Sequence, residues 1–159
     1  MASVEIPKLT PSVKLSLRPM ESADLDAVMI VEKRAYSFPW TRGVFRDCLS
    51  AQHQCWVGEV ESRLVAHGVL TIAAGESHLL NVCVSRDYRE QGFGRELVAH
   101  LISVARSGGA ERIFLEVRPT NMVAANLYAS MGFEEIGIRK NYYPASLGHE
   151  DAMVLALVL

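Results

Sequence analysis

Leu79-Leu80-Asn81-Val82-Cys83-Val84, followed shortly by Arg89-Glu90-Gln91-Gly92-Phe93-Gly94, constrains this chain more than any other segment. An apolar, strand-like run feeds a turn with two glycines, and the turn opens a strongly periodic helix from about Arg95 to Arg106. Glycine lets the main chain bend tightly, so that several free N–H groups converge where the positive end of the helix dipole points. Such a strand-turn-helix unit is built to hold an anion, most simply a phosphate or pyrophosphate, which makes a nucleotide-bearing cofactor the first expectation. A plain connecting loop is the other reading of the same residues. Two better-known phosphate motifs are excluded. No Gly-Lys-Ser or Gly-Lys-Thr follows, and the position where a dinucleotide fingerprint wants a third small residue is Leu97.

The remaining chain supplies strands and helices to pack around this unit. Val13 to Arg18 alternates Val, Leu and Leu with polar residues, as a half-buried strand does. Ser22 is placed to cap a helix with Asp24 and Asp26 in its first turn and Leu25, Val28, Met29 and Ala35 as its inner stripe. Pro39 forbids continuation, leaving Ser37-Phe38-Pro39-Trp40 as a loop, and Thr41 caps a second short helix to about Leu49. Cys55 to Val60 and Leu64 to Ala73 are antiparallel strands joined at Glu61-Ser62-Arg63, Gly75 breaks the next connection, and His78 to Val84 makes a fourth strand. After the glycine turn, Leu97, Val98, Leu101, Ile102 and Ala105 keep helical spacing until Gly108-Gly109. Ile113, Leu115 and Val117 alternate on a fifth strand, and Ala124, Leu127, Tyr128 and Met131 mark a helix stopped by Gly132. Strands from about Glu134 to Tyr143 and Asp151 to Leu157 close the chain. The expected order is β-α-α-β-β-β-α-β-α-β-β, an α/β (α+β) chain with one mixed sheet and helices on both faces.

With 159 residues this reads as one domain over 13–159, preceded by a loosely held, flexible leader over 1–12 with no apolar core of a signal peptide. A formal charge of −2 gives no basic excess for nucleic acid, and no apolar run nears the roughly 20 residues that cross a bilayer. Cys48, Cys55 and Cys83 are odd in number and lack Cys-x-x-Cys spacing, which points to a reducing cytoplasm and away from disulfides or zinc. His53, His67, His78, His100 and His149 are scattered without metal-ligand spacing, so no metal is expected.

Chemistry concentrates after the glycine turn. Glu116 sits in Ile113-Phe114-Leu115-Glu116-Val117, an apolar strand where an ionised carboxylate is costly unless partnered. That placement suits a general base; the alternative is a half-exposed carboxylate paired with Arg118 or Arg112. Tyr128 lies on the apolar face of the next helix, where packing is the ordinary role of a tyrosine. Asn121 is placed to cap that helix and also to donate to a ligand.

Together these features resemble the GNAT superfamily of N-acetyltransferases. The likeness is carried by Arg89-x-x-Gly92-x-Gly94, Glu116, and Arg118-x-x-Asn121-x-x-x-x-Asn126-Leu127-Tyr128-x-x-x-Gly132-Phe133, and the element order matches from Val13 onward. Arg34-Ala35-Tyr36-Ser37-Phe38-Pro39-Trp40, Leu115-Glu116-Val117-Arg118, Arg139-Lys140-Asn141-Tyr142-Tyr143-Pro144 and Glu150-Asp151-Ala152 are similar more narrowly to the RimI-type alanine N-acetyltransferases, which modify a small-subunit ribosomal protein. The leader is a departure from typical members.

The resemblance implies the GNAT fold, a mostly antiparallel seven-stranded sheet flanked by four helices, and acetyl-CoA as acetyl donor. It implies that Val82, Cys83 and Val84 pair with the pantetheine arm through their backbone. The amides of Glu90, Gln91, Gly92, Phe93, Gly94 and Arg95 are expected to bind pyrophosphate, with Asn121 nearby. Glu116 is implied as the base, directly or through water, and Tyr128 as the acid for the departing thiolate. Phe38, Pro39, Trp40, Tyr142 and Tyr143 are expected to flank the acceptor groove. The implied partner is a ribosomal protein beginning with alanine, met in the cytoplasm by a monomer or weak dimer. Rival readings are transfer to other protein N-termini, lysines or small amines, and a non-catalytic acyl-CoA-binding module. Cys83 as an acyl-carrying nucleophile is disfavoured by its apolar neighbours.

Overall fold

The computed structural model describes residues 13–159, and the expected leader lies outside the described residues. Seven strands and four helices follow the order read from the sequence. They are β1 (Ser16–Pro19), α1 (Leu25–Ala35), α2 (Arg42–Ser50), β2 (Gln54–Val60), β3 (Arg63–Ala73), β4 (Glu76–Val84), α3 (Phe93–Ser107), β5 (Arg112–Val117), α4 (Met122–Ser130), β6 (Glu134–Pro144) and β7 (His149–Val158). One sheet holds all seven strands in the order β1-β2-β3-β4-β5-β7-β6. Every neighbouring pair is antiparallel except β4 and β5, whose crossover is α3.

Alternation along β2 shows how the sheet divides the interior. Cys55 and Val57 join Leu25, Val28, Met29 and Phe45 in a cluster beneath α1 and α2. Trp56, between them, faces the larger cluster formed with Leu97, Val98, Leu101 and Ala105 of α3 and Tyr128 of α4. Helices therefore cover both faces, as a two-sided apolar sheet requires. The α3 stripe is the one read from the sequence, and the helix ends where Gly109 takes φ of 83°, the left-handed conformation common just past a helix end. Gly68 on β3 serves close approach instead: a Cβ there would lie 2.8 Å from the Leu101 side chain.

Two local expectations differ. Glu21, not Ser22, precedes the first turn, because its N–H donates to Asp24 Oδ2 at 2.8 Å and Ser22–Asp24 form a short 3-10 turn ahead of α1. Arg18 holds Asp24 at 2.7 Å and Glu59 at 2.6 Å, which fixes the carboxylate that closes this turn. The inner face of α1 also contains Glu32, almost fully buried, where the expected stripe listed only apolar side chains. Among the described residues no helix is long and apolar enough to cross a membrane.

Candidate active site

The site begins where the parallel pair separates. β4 and β5 are paired only from Glu76–Arg112 to Leu79–Leu115. Beyond that point β4 stays with β3 as far as Val84, while β5 stays with β7 as far as Val117. A wedge opens between the carboxyl ends of the two strands, with main-chain groups of β4 facing into it. Ser85 donates its N–H to the Val65 carbonyl at 2.7 Å. Counting back along the antiparallel ladder turns the amides of Cys83 and Asn81 towards β3 and those of Val82 and Val84 towards the gap. The Tyr36 hydroxyl, donating to the Val82 carbonyl at 2.5 Å, marks the gap side. Of the three expected backbone contacts, Val82 and Val84 thus offer N–H groups there. The Cys83 side chain is buried, and burial, reinforced by the charge of Glu32, pushes its thiol far up. A thiol kept protonated is no nucleophile.

The glycine turn stands at the mouth of the wedge. Glu90 and Gly92 both hold positive φ, 63° and 80°, so consecutive N–H groups turn to a common side. Gly92 is the N-cap of α3 and no side chain caps it, which leaves the first-turn N–H groups of Phe93, Gly94 and Arg95 without intrahelical partners. A Cβ built on Gly92 meets nothing within 4 Å, so the space before the turn is open. Gly94 faces the other way: a Cβ there would lie 3.4 Å from Leu127, an ordinary contact distance, so this position of α3 sits against α4. Arg95 ties the same two helices through Ser130 Oγ at 2.7 Å. Asn121 caps α4, its Oδ1 accepting from the Ala124 N–H at 3.3 Å, with its amide nitrogen left over. This donor set fits a pyrophosphate: backbone N–H groups and a helix dipole, with no side chain in the way.

Glu116 and Tyr128 come from opposite walls. The Glu116 side chain is only 7% exposed, and its partners are neither Arg118 nor Arg112: Oε2 lies 2.5 Å from His78 Nε2 on β4, and Oε1 lies 3.6 Å from Arg139 Nε on β6. Tyr128 is buried against Phe133, with ring centroids 5.5 Å apart, and burial pushes its phenol up to about 12. Tyr36 and Tyr128 lie near enough for the charge of one to oppose ionisation of the other. Tyr143 likewise feels Glu116 and Tyr128, although burial is the largest cause of its upward shift. Tyr36, Glu116, Tyr128 and Tyr143, from four separate segments, are therefore linked by charge: Tyr36 feels Tyr128, and Tyr143 feels both Glu116 and Tyr128.

The expected acceptor flank is brought together in part. The Arg118 guanidinium lies over the Phe38 ring at 5.6 Å and the Tyr143 ring at 4.4 Å, bridging the α1–α2 loop to β6. Glu150 fixes Arg118 at 3.1 Å and takes the Thr120 hydroxyl at 2.7 Å, so its carboxyl sits below the usual range. Tyr142 is exposed beneath Arg139, with 5.4 Å from guanidinium carbon to ring centre. The Trp40 ring turns inward on Phe45, and the Trp40 backbone N–H donates to Glu32 Oε2 at 2.9 Å. Pro39, beside it, lines a shallow hollow with Met29, Lys33 and Arg42.

Glu32 anchors that loop from below. Its Oε1 meets His67 Nε2 at 3.0 Å and the Asn81 amide at 3.2 Å. Glu32, His67 and Cys83 present ligand-type atoms within 4.8 Å of one another, but the carboxylate oxygens are already occupied by these donors and the thiol is held protonated. Sequence reasoning passed over Glu32, His78 and Arg139. The signal for Glu32 was present, since Leu25, Val28, Glu32 and Ala35 share one helical face. His78 and Arg139 gave no such signal, because strand register brings them to Glu116.

The chain is similar to known proteins over most of its length. The pattern of the acetyltransferase (GNAT) family matches residues 25–133. The chain is 37% identical over 138 residues to the ribosomal protein bS18-alanine N-acetyltransferase of Escherichia coli K12, covering 87% of this chain and 93% of that one. A crystal structure of the ribosomal-protein-S18-alanine N-acetyltransferase from Escherichia coli superposes with a TM-score of 0.85 at 35% identity, over 91% of this chain and 94% of that one. The NatC complex bound to Gag peptide and CoA shares the fold, with a TM-score of 0.81 at 21% identity over 92% of this chain and 99% of that one.

Proposed function

Given that the chain belongs to the GNAT acetyltransferase family and is an N-acetyltransferase, we propose that it acetylates the α-amine of an N-terminal alanine on a small-subunit ribosomal protein. One observation carries the reading: the wedge between β4 and β5 opens beside a largely enclosed carboxylate and a buried phenol, with an uncapped helix N-terminus at its mouth. Acetyl-CoA supplies the acyl group already activated as a thioester. The amides of Glu90 to Arg95 hold its pyrophosphate and the Val82 and Val84 amides its pantetheine arm, with the Asn121 amide nitrogen alongside.

Glu116 takes the proton from the acceptor ammonium, directly or through one water. The demand is modest, since an α-amine titrates near 8 whereas a lysine titrates near about 10.4. Backbone N–H groups of β4 stabilise the charge that develops on the carbonyl oxygen. Tyr128, pushed up to about 12, keeps its O–H at every working pH. A thiol titrates near about 8.5, so the phenol serves the departing sulfur as a hydrogen-bond donor more than as a permanent source of its proton. Phe38, Pro39 and Trp40 on one side and Tyr142 and Tyr143 on the other flank the acceptor, and Arg118 ties the two sides together. The setting is the cytoplasm, with the chain acting as a monomer or weak dimer.

A peptide panel that varies only the first residue tests the acceptor, with acetylation read by mass spectrometry. Alanine-starting ribosomal peptides should react fastest. Equal rates on serine-starting peptides, free lysine or polyamines would place the chain among the broader acetyltransferases of this fold. Calorimetry that detects no uptake of acetyl-CoA by the folded protein would remove the catalytic reading altogether.

A further inference from the structure

Glu116 must not only take a proton but also lose it. Each turnover breaks a C–S bond, forms a C–N bond, and converts an ammonium and a thioester into an amide and a thiol. The nitrogen gives up two protons; one ends on sulfur and one goes to solvent. The Glu116 side chain is 7% exposed, so it is poorly placed to hand that proton to bulk water. Two groups touch its oxygens. Arg139, at 3.6 Å, carries donors only and cannot accept a proton. His78, at 2.5 Å, has a ring nitrogen able to accept one, and its side chain is 33% exposed.

Resting on the assignment of Glu116 as base, we propose that His78 is the proton exit of this site. At rest the His78 Nε2–H donates to the ionised Oε2. Once Glu116 has taken the ammonium proton, a turn of the imidazole presents its bare nitrogen to the carboxyl, the proton passes across, and the carboxylate is regenerated. The imidazolium then releases a proton to solvent and returns to neutral. Other groups around the pair do not compete for this duty. Tyr143 on β6 stays a phenol because burial pushes it well up, and Arg139 on β6 stays a cation. Thr71 of β3 and Phe114 of β5, the register partners of His78, carry no titratable group. His78 acts through Glu116 and is thus a positioning and relay residue rather than one that meets substrate.

The experiment uses steady-state, multiple-turnover acetylation of an alanine-starting peptide by the full chain, in dilute buffer, with and without added imidazole. His78→Gln, Glu116→Gln and the double variant are compared after thermal melts confirm folding. His78→Gln should slow transfer about tenfold or more, with both KM values unchanged. Imidazole should restore the rate of His78→Gln but not that of Glu116→Gln, and the double variant should be no slower than Glu116→Gln alone. A His78→Gln rate within twofold of the parent overturns the relay, as does a loss that imidazole leaves untouched. A parental rate in Glu116→Gln overturns the base assignment itself, and with it the relay. His78→Asn, which shortens the side chain without adding bulk, replaces His78→Gln if the latter melts early.

Discussion

Replacing Tyr128 by Phe removes one oxygen from the wall of the wedge and leaves the ring packed on Phe133. Two separate magnitudes follow. The first concerns stability. Burial raises the phenol from 10.0 to about 12, so the folded state keeps a proton that the unfolded chain releases. Between these values the folded protein binds more protons than the unfolded one, and stability falls as pH rises. The contribution is complete below about pH 10 and gone above about pH 12. Two units correspond to about 3 kcal/mol, undiscounted because the group is almost wholly enclosed. Tyr128→Phe should therefore flatten the alkaline limb of a denaturant-midpoint series between about pH 10 and 12. Near pH 7 its midpoint should lie within about 1 kcal/mol of the parent. Tyr36 and Tyr143 are raised in the same direction, so part of the limb will survive. The second magnitude concerns turnover. A hydrogen bond to a charged sulfur contributes about 1.5–3 kcal/mol, which corresponds to a loss of roughly 10- to 150-fold in kcat. KM for acetyl-CoA should stay put, because that bond forms as the sulfur departs. A parental kcat in Tyr128→Phe, with the alkaline limb flattened as stated, would leave the tyrosine a packing residue and refute its part in the transfer.

Glu116→Gln should bind acetyl-CoA within about threefold of the parent by calorimetry while losing about 100-fold or more in turnover, the usual scale for a missing general base. Arg118→Ala removes the cation shared by Phe38 and Tyr143, so peptide KM should rise about fivefold or more with KM for acetyl-CoA unchanged. Equal rises in both would show that Arg118 serves the whole site. Gly92→Ala places a Cβ on a residue with φ of 80° and adds strain of about 1 kcal/mol, visible as a small drop in melting temperature. Its larger effect should be weaker acetyl-CoA binding, because the Cβ stands at the mouth of the anion cradle. Unchanged affinity would move the pyrophosphate elsewhere. His67→Phe leaves the buried Glu32 carboxylate with the Asn81 amide and the Trp40 N–H alone, and should lower stability by about 1–3 kcal/mol in urea titrations.

Local pattern and long-range register contributed differently to what the sequence revealed. The α3 stripe, the stop at Gly108-Gly109 and the Thr41 cap are local signals, since each depends on residues within a turn or two. The glycine turn was legible for the same reason, although of its two glycines only Gly92 holds a left-handed conformation, while Gly94 sits against Leu127 of α4. The wedge itself was not legible. It exists because β4 continues from Leu80 to Val84 beyond its pairing with β5, and no local pattern in either strand announces where partners separate. Glu116 was found as an anomaly, a charge in an apolar strand, yet the same rule pointed to the wrong partners. Arg118 and Arg112 are close in sequence, whereas His78 is 38 positions away and Arg139 arrives from a strand added after another helix. A charge on an apolar face therefore signals that a partner exists without saying which. Glu32 makes the same point from the helix side. Its carboxylate, on the face of Leu25 and Val28, required donors from somewhere, and the topology supplied His67, Asn81 and the Trp40 N–H from three different segments. Glu32 lies beneath the loop that carries Trp40, and Glu116 stands on β5 between His78 of β4 and Arg139 of β6. Each carries a cost in isolation that the fold offsets with partners from β3, β4 or β6, and for Glu32 also from the Trp40 backbone, so each of these polar atoms ties together segments far apart in the sequence.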